Sequence, residues 1–307
     1  MAVGAPGETV DGTRFTGGVY LFRRASNGTW TLHSTLRAPE SFPGQLGNSF
    51  GYSVEITEDG ATLKVNSSLP RGEDDAYEGR THIYDFNGTT WQRTATVGPA
   101  FPGYYCSFVR MSGDGTTLTS MCFLYPSQEF RLTTRKRSGN AWVLVGDQLV
   151  ALTGAGIDQM SALSFDGNSV AMKEGSEPET RTLTIYRWDG NSWVRESMIP
   201  QPPGLIWHEW GYRAEFSRNA RRVVIGSQHR AVVVYERTGN TNDPWRQVPI
   251  VMPVPDRGGG FAGRAISLSG SGYYLAVGSP GEDSNATGID GDRYNISAEN
   301  AGAVWLY

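Results

Sequence analysis

Three observations predict an all-β chain, a β-propeller of four-stranded blades: a tryptophan that returns about every fifty residues behind a tight turn, strands that alternate apolar and polar residues, and no stretch with helical periodicity. The tryptophans are Trp30, Trp91, Trp142, Trp193 and Trp245, in steps of 61, 51, 51 and 52 residues. Four of them follow turn signals: Asn27-Gly28-Thr29, Asn87-Gly88-Thr89-Thr90, Ser138-Gly139-Asn140-Ala141 and Asp189-Gly190-Asn191-Ser192; Asp243-Pro244 precedes the fifth. Asn-Gly and Asp-Gly supply the left-handed backbone of a tight hairpin, so each tryptophan opens the second strand of one.

Within a unit the strands are read in order as a, b, c and d. Strand a is the segment of Phe50-Gly51-Tyr52-Ser53-Val54, with counterparts at Tyr105-Cys106-Ser107-Phe108, Trp210-Gly211-Tyr212 and Phe261-Ala262-Gly263. A turn follows at Asp59-Gly60, Asp114-Gly115 and Asp166-Gly167. Strand b is of the type Leu275-Ala276-Val277-Gly278, strand c resembles Val232-Val233-Val234-Tyr235, and strand d starts at the tryptophan. Six units result, at 1–47, 48–100, 101–152, 153–202, 203–254 and 255–307, with 22 strands in one propeller domain spanning 1–307. The first unit lacks strand a and the last lacks strand d. Because the two ends overlap in b and c they cannot merge into one blade, which fits part of a seven-bladed ring or boundaries that cut through blades.

Phe-Gly-Tyr-Ser-Val at 50–54, Val-Gly-Ala-Pro at 3–6 and Val-Gly-Ser-Pro at 277–280 resemble the FG-GAP repeats of integrin α-chain propellers and related microbial surface proteins. The resemblance spans nearly the whole chain, although Val65-Asn66-Ser67-Ser68 and Met172-Lys173-Glu174 have lost the Gly-Ala-Pro element. It implies a secreted or cell-surface protein acting in adhesion. Integrin-type propellers carry a dense calcium loop between strands a and b, and here that place holds only Glu58-Asp59-Gly60-Ala61. Calcium has another candidate: Asp283, Asn285, Asp290 and Asp292 offer hard oxygen ligands in a Gly-containing loop.

Composition narrows the partners. A net charge of -4 gives no basic surface for nucleic acid. No stretch approaches eighteen apolar residues, so no membrane insertion is expected, and the start lacks an apolar signal region, which leads to the expectation of a soluble chain with any export signal removed. The two cysteines, Cys106 and Cys122, flank the turn at Ser112-Gly113-Asp114-Gly115 and would face each other on neighbouring strands. A bridge is one reading; two buried free thiols is the preferred one, because a cross-strand bridge demands particular geometry.

Strand alternation puts the a–b and c–d turns at one end of each blade and the b–c loops and d-to-a connections at the other. The second end is long-looped and acidic, and long loops on a rigid scaffold are where binding resides. The binding face is assigned to Glu73, Asp74, Asp75, Glu78, Glu177, Glu179, Tyr104 and Trp207, with Phe101 and Phe42 as further contact residues. The bland alternative is that these carboxylates only keep the chain soluble. Sequons at Asn27, Asn66, Asn87, Asn285 and Asn295 permit N-glycosylation, although Asn-Gly turns explain two of them equally well. Gly258-Gly259-Gly260-Phe261-Ala262-Gly263 leads into a strand rather than a helix, and His208-Glu209 lacks a second histidine, so neither carries catalysis. The expected function is a non-enzymatic extracellular module that recognises a protein or glycan. The alternatives are a structural part of a larger extracellular assembly, or a propeller glycoside hydrolase with two carboxylates on neighbouring loops.

Overall fold

The structure, a computed structural model, describes residues 1–39, 48–68, 79–101, 103–124, 129–150, 160–175, 182–202, 210–211, 213–226, 232–239, 243–248, 265–288, 290–292 and 295–307. The fold is an all-β propeller of six antiparallel blades, and no helix occurs among the described residues. Blade 1 holds β1 (Ala2–Gly4), β2 (Val19–Arg24) and β3 (Trp30–Leu36). Blade 2 holds β4 (Ser53–Ile56), β5 (Thr62–Ser68), β6 (Gly79–Phe86) and β7 (Trp91–Val97). Blade 3 holds β8 (Tyr104–Met111), β9 (Thr117–Leu124), β10 (Glu129–Ser138) and β11 (Ala141–Val150). Blade 4 holds β12 (Met160–Leu163), β13 (Ser169–Glu174), β14 (Thr182–Trp188) and β15 (Trp193–Pro200). Blade 5 holds β16 (Arg213–Phe216), β17 (Arg222–Gly226), β18 (Val232–Glu236) and β19 (Arg246–Val248), and blade 6 holds β20 (Ala265–Leu268), β21 (Leu275–Ser279) and β22 (Ala303–Leu306). The first blade thus runs b-c-d and the last a-b-c, as the repeat count requires. Residues 1–151 and 152–307 form two compact units of three blades each.

The hairpin between strands a and b is the same in four blades. Thr57, Ser112, Ser164 and Ser217 donate their hydroxyls to Asp59, Asp114, Asp166 and Asn219 at 2.6, 2.5, 2.6 and 2.8 Å. The side-chain oxygen of each second residue also accepts the amide two residues on, from Ala61, Thr116, Asn168 and Arg221, at 2.9 to 3.1 Å. The hydroxyl oxygen accepts the amide that opens strand b, at Thr62, Thr117, Ser169 and Arg222. Two short polar side chains therefore satisfy the turn amides that the ladder leaves over.

Blades pack through their faces. Phe50 is fully buried among Val19, Leu21, Leu63, Val65 and Tyr84, joining blades 1 and 2. Ile83 meets Val109, Met111 and Leu118 between blades 2 and 3. In the second unit Trp210 is fully buried with Leu183, Ile185 and Ile225, and Val224 and Val234 meet Leu275 and Val277. One sequence expectation is corrected here: Phe50-Gly51 and Trp210-Gly211 precede the a-strands instead of opening them. Gly51 and Gly211 sit at φ of +90° and +77°, a left-handed backbone that no strand can use. A Cβ on Gly4 would stand 2.1 Å from the Gly51 carbonyl oxygen, so blades 1 and 2 approach too closely for any side chain there.

Charges also cross between blades 2 and 3. Lys64 on β5 is wholly buried; its ammonium donates to the Val109 carbonyl at 2.5 Å and lies 3.3 Å from Glu55. Glu55 also accepts Arg110 at 3.0 Å and the Met111 amide at 2.7 Å. Burial pushes the Glu55 carboxyl up, but Lys64, Arg110 and the Met111 amide outweigh it and hold the group below the ordinary glutamate value. A carboxyl depressed in the folded chain stabilises above its unfolded value, and that contribution is lost as pH falls through the folded value. Glu55→Gln should therefore cost about 3 kcal/mol or more at neutral pH by removing the carboxylate that faces the buried Lys64 ammonium, and its stability should decline less steeply toward acid. Urea unfolding at a series of pH values checks this; identical acid dependence in the variant and the parent would remove Glu55 from the account.

Candidate functional site

In blade 3, three strands bring chemistry to the loop end: β8 begins at Tyr104, β10 begins at Glu129, and Asp147 lies near the end of β11. Cys106 and Cys122 are direct partners across β8 and β9 and form a disulfide, not the free thiols preferred from sequence. Opposed side chains on an antiparallel pair come close enough to bond once the register is set. The bridge pins β8, one of the two edge strands of its sheet, two residues from Tyr104, whose partner is Leu124.

The Tyr104 hydroxyl donates to Glu129 Oε1. Arg131 Nε donates to the same oxygen at 2.8 Å and to the Tyr104 hydroxyl at 3.2 Å, while Nη1 donates to Asp147 Oδ2. The guanidinium lies 5.3 Å from the centre of the Phe101 ring and 5.9 Å from that of Tyr104, and the two rings meet edge to face at 5.9 Å. Hydrogen bonds from Tyr104 and then Arg131 hold the Glu129 carboxyl below its ordinary value, and Glu129 in turn pushes the Tyr104 phenol up. Glu129 is thus an anion, Tyr104 a neutral donor and Arg131 a fixed cation. All are partly exposed, so the group forms a wet, charged corner with an aromatic wall.

Tyr104 of the binding face and Phe101 of the further contact residues named from the sequence fall in this group. Glu73, Asp74, Asp75, Glu78, Glu177, Glu179, Trp207 and Phe42 lie outside the described residues. Glu129, Arg131 and Asp147 were missed. Their signal was the spacing Glu129-x-Arg131, which puts both on one face of a strand, with Asp147 opposite Thr133 and so diagonal to Arg131. Other loop-end carboxylates are engaged locally. Glu8 accepts Arg37 at 2.6 Å and Tyr20 at 2.8 Å, and Glu174 accepts Thr184 at 2.7 Å and the Tyr186 hydroxyl.

The four calcium candidates from the sequence, Asp283, Asn285, Asp290 and Asp292, lie in the loop of blade 6 that joins β21 to β22. Asp283 Oδ1 accepts the Asn300 amide at 2.8 Å, the Asp283 carbonyl accepts Ala298, and the Asp292 carbonyl accepts the Ser284 hydroxyl at 2.7 Å, so these residues tie the loop to itself. Among the described residues no three His, Cys, Asp or Glu side chains gather into a metal-holding group, Asp290 included. Asn285 is exposed. Of the other sequons, Asn27, Asn87 and Asn295 accept amides two residues on, at Thr29, Thr89 and Ser297, and Asn66 accepts the Thr81 hydroxyl within the sheet.

No protein-family model and no curated protein matches the sequence. Solved structures do match in fold. The periplasmic gluconolactonase PpgL of Pseudomonas aeruginosa is 18% identical with a TM-score of 0.52, covering 84% of this chain and 71% of its own. A protein from Lactobacillus plantarum is 16% identical with a TM-score of 0.53, covering 94% and 81%. The propeller domain of Myceliophteria thermophila Cps50 (Swd1) is 12% identical with a TM-score of 0.52, covering 87% and 75%. At these identities the likeness is one of fold. It corrects the expectation of a non-enzymatic adhesion module, because the integrin-type relationship behind it finds no counterpart in these three, and a named lactonase shares the architecture instead.

The disulfide closes a sequence separation of 16 residues. Replacing both cysteines by serine should cost about 2–4 kcal/mol through the freed unfolded chain. Denaturant unfolding of the double variant measures it, and an unchanged midpoint would show that the bridge does not constrain blade 3.

Proposed function

We propose that this protein is a hydrolase of sugar-derived lactones that works outside the cytosol, with Tyr104, Glu129, Arg131 and Asp147 as its polar site. The observation that carries this reading is the corner in blade 3 where one guanidinium joins two carboxylates and a phenol beside stacked rings. Lactone opening needs these parts. Water adds to the carbonyl carbon, the carbonyl oxygen gains negative charge, the ring C–O bond breaks, and the ring oxygen takes up a proton to give a hydroxy acid. Glu129, ionised at neutral pH, accepts the proton of the attacking water. Arg131 stabilises the oxyanion and then the product carboxylate. Tyr104, kept protonated by Glu129, donates to the departing ring oxygen and regains a proton from Glu129 across their hydrogen bond, which restores both groups, and Phe101 offers an apolar wall to the C–H face of the ring.

The fold shared with PpgL supports the substrate class. The Cys106–Cys122 bridge supports an oxidising compartment, since such bonds persist outside the reducing cytosol. The close packing of Gly4 on Gly51 supports reading the Gly-Ala-Pro and Phe-Gly segments as FG-GAP elements of the scaffold.

Glucono-1,5-lactone and a panel of five- and six-membered sugar lactones, followed by acid release above the spontaneous rate, test the proposal. Glu129→Gln and Arg131→Ala should each lower kcat/KM by about 10²–10³-fold while leaving the folded spectrum unchanged. Because Tyr104 and Arg131 favour the Glu129 anion, activity should persist below the ordinary glutamate range and vanish as pH falls through the depressed value. Release no faster than in buffer across the panel would sink the reading.

A further inference from the structure

Where the hairpin turns of blades 1 and 2 meet, a cleft of about 270 Å³ opens, walled by Phe86 and Trp91 and edged by Arg23, His33, Ile56 and Asp59. It sits at the a–b and c–d turns, the opposite end of the strands from the loop end that carries Tyr104 in blade 3. The repeat explains its origin. Arg137, opposite Trp142 on strand c of blade 3, reaches back to Asp85 of blade 2 at 2.5 Å and to the Thr62 hydroxyl at 3.1 Å, spanning that junction. In blade 2 the residue opposite the tryptophan is Phe86, and in blade 1 the place of Asp85 is taken by Arg23. The ion pair is thereby replaced by a guanidinium 5.6 Å from the centre of the Phe86 ring, a looser contact.

The cleft wall is aromatic: Phe86 and Trp91 are 5.2 Å apart, and His33 meets Phe86 edge-on at 5.5 Å. Its rim carries unused hydrogen-bonding capacity. Among the described residues the Arg23 guanidinium has no hydrogen bond or ion pair, only its contact with Phe86. His33 uses Nδ1 on the Ser34 hydroxyl, which leaves Nε2. Asp59 spends Oδ1 on Thr57 and the Ala61 amide, which hold the carboxyl ionised and leave Oδ2. A donor resting on Phe86, an acceptor anchored by its own turn and an imidazole nitrogen around an aromatic wall match a ring with an apolar C–H face and hydroxyls at its edge. An apolar molecule would leave all three polar groups unpaired, and a simple anion would meet Asp59.

We propose that this cleft is an accessory binding subsite for a neutral pyranose ring, separate from the polar corner of blade 3. The sugar stacks on the Phe86 and Trp91 wall, and its hydroxyls pair with Arg23, His33 and Asp59. Titration of the full chain with glucose, galactose and mannose, followed by the fluorescence of its tryptophans and by calorimetry, tests this. At least one sugar should saturate at millimolar concentration, and Arg23→Ala and His33→Ala should each weaken it about tenfold or more. Both positions are at the rim rather than in the core, and an unfolding curve confirms that each variant is folded. Glu129→Gln should bind as the parent does, which separates this subsite from the hydrolase reading: loss of lactonase activity with sugar binding intact leaves the subsite standing. No saturable binding of any of the three sugars, binding unaffected by both rim variants, or binding only of a control such as indole-3-acetate would overturn it.

Discussion

The turn between strands a and b, in which a hydroxyl donates to an Asp or Asn side chain, is the constraint on which the rest of blades 2 to 5 depends. It fixes the residue at which strand b starts, and with a side-chain period of two a slip of one residue would turn every apolar side chain of β5, β9, β13 or β17 away from the neighbouring blade. The same turns dock on each other. The Glu58 amide donates to the Gly113 carbonyl at 3.1 Å between blades 2 and 3, and the Arg218 amide donates to Gly270 at 2.9 Å between blades 5 and 6. Two residues before the turn, Glu55 and Glu215 accept the amides of Met111 and Leu268 on the next blade's strand a. A local device thus sets both the register within a blade and the contact to the following one.

Apolar packing between blades is non-directional and tolerates small shifts; the buried charges do not. Lys64 with Glu55, and Arg237 with Glu196 at 2.6 Å, are held where a mispaired blade would strand them without partners. Arg237 also donates to the Ala220 carbonyl and lies 4.8 Å from the centre of the Trp245 ring, so one side chain joins the strand d of blade 4 to a turn and a tryptophan of blade 5. Such pairs add little net stability over apolar residues of the same size. Their effect here is to favour one arrangement of consecutive blades over others in which the repeats pair out of place.

The architecture was legible because it is repeated. The tryptophans, the Asp-Gly turns and the two-residue alternation each report on local backbone, and the missing strands of the first and last blades followed from counting them. The start of strand a was misplaced because Phe50-Gly51 looks extended as a string, while its role is to turn with a left-handed glycine. Sequence placed Cys106 and Cys122 opposite each other across the Ser112 turn and preferred free thiols because a cross-strand bridge demands particular geometry, which the direct pairing of the two residues on β8 and β9 supplies. Glu129, Arg131 and Asp147 were hidden for a related reason. They come from the start of strand c and the end of strand d, where charged residues ordinarily read as a solvated face, and the approach of Asp147 to Arg131 depends on a diagonal relation that no linear pattern displays.

The departures from the repeat are where function is to be sought, and the reason is energetic. A repeat position answers to its scaffold role in every blade, so a residue that breaks the pattern forfeits that role and persists only if the local packing can bear it. Arg23 facing Phe86, where the next junction has Asp85 facing Arg137, gives up a charge-assisted bond and leaves three polar groups open around a ring-lined cleft. Blade 3 departs in the other direction: the disulfide and the Tyr104, Glu129, Arg131 and Asp147 network concentrate covalent and ionic restraint at one end of a sheet whose turns are otherwise ordinary. Restraint of that kind holds polar groups in place before a ligand arrives, which is what a reacting site requires. The looser contact at the opposite end suits recognition of a ring, where stacking tolerates small displacements.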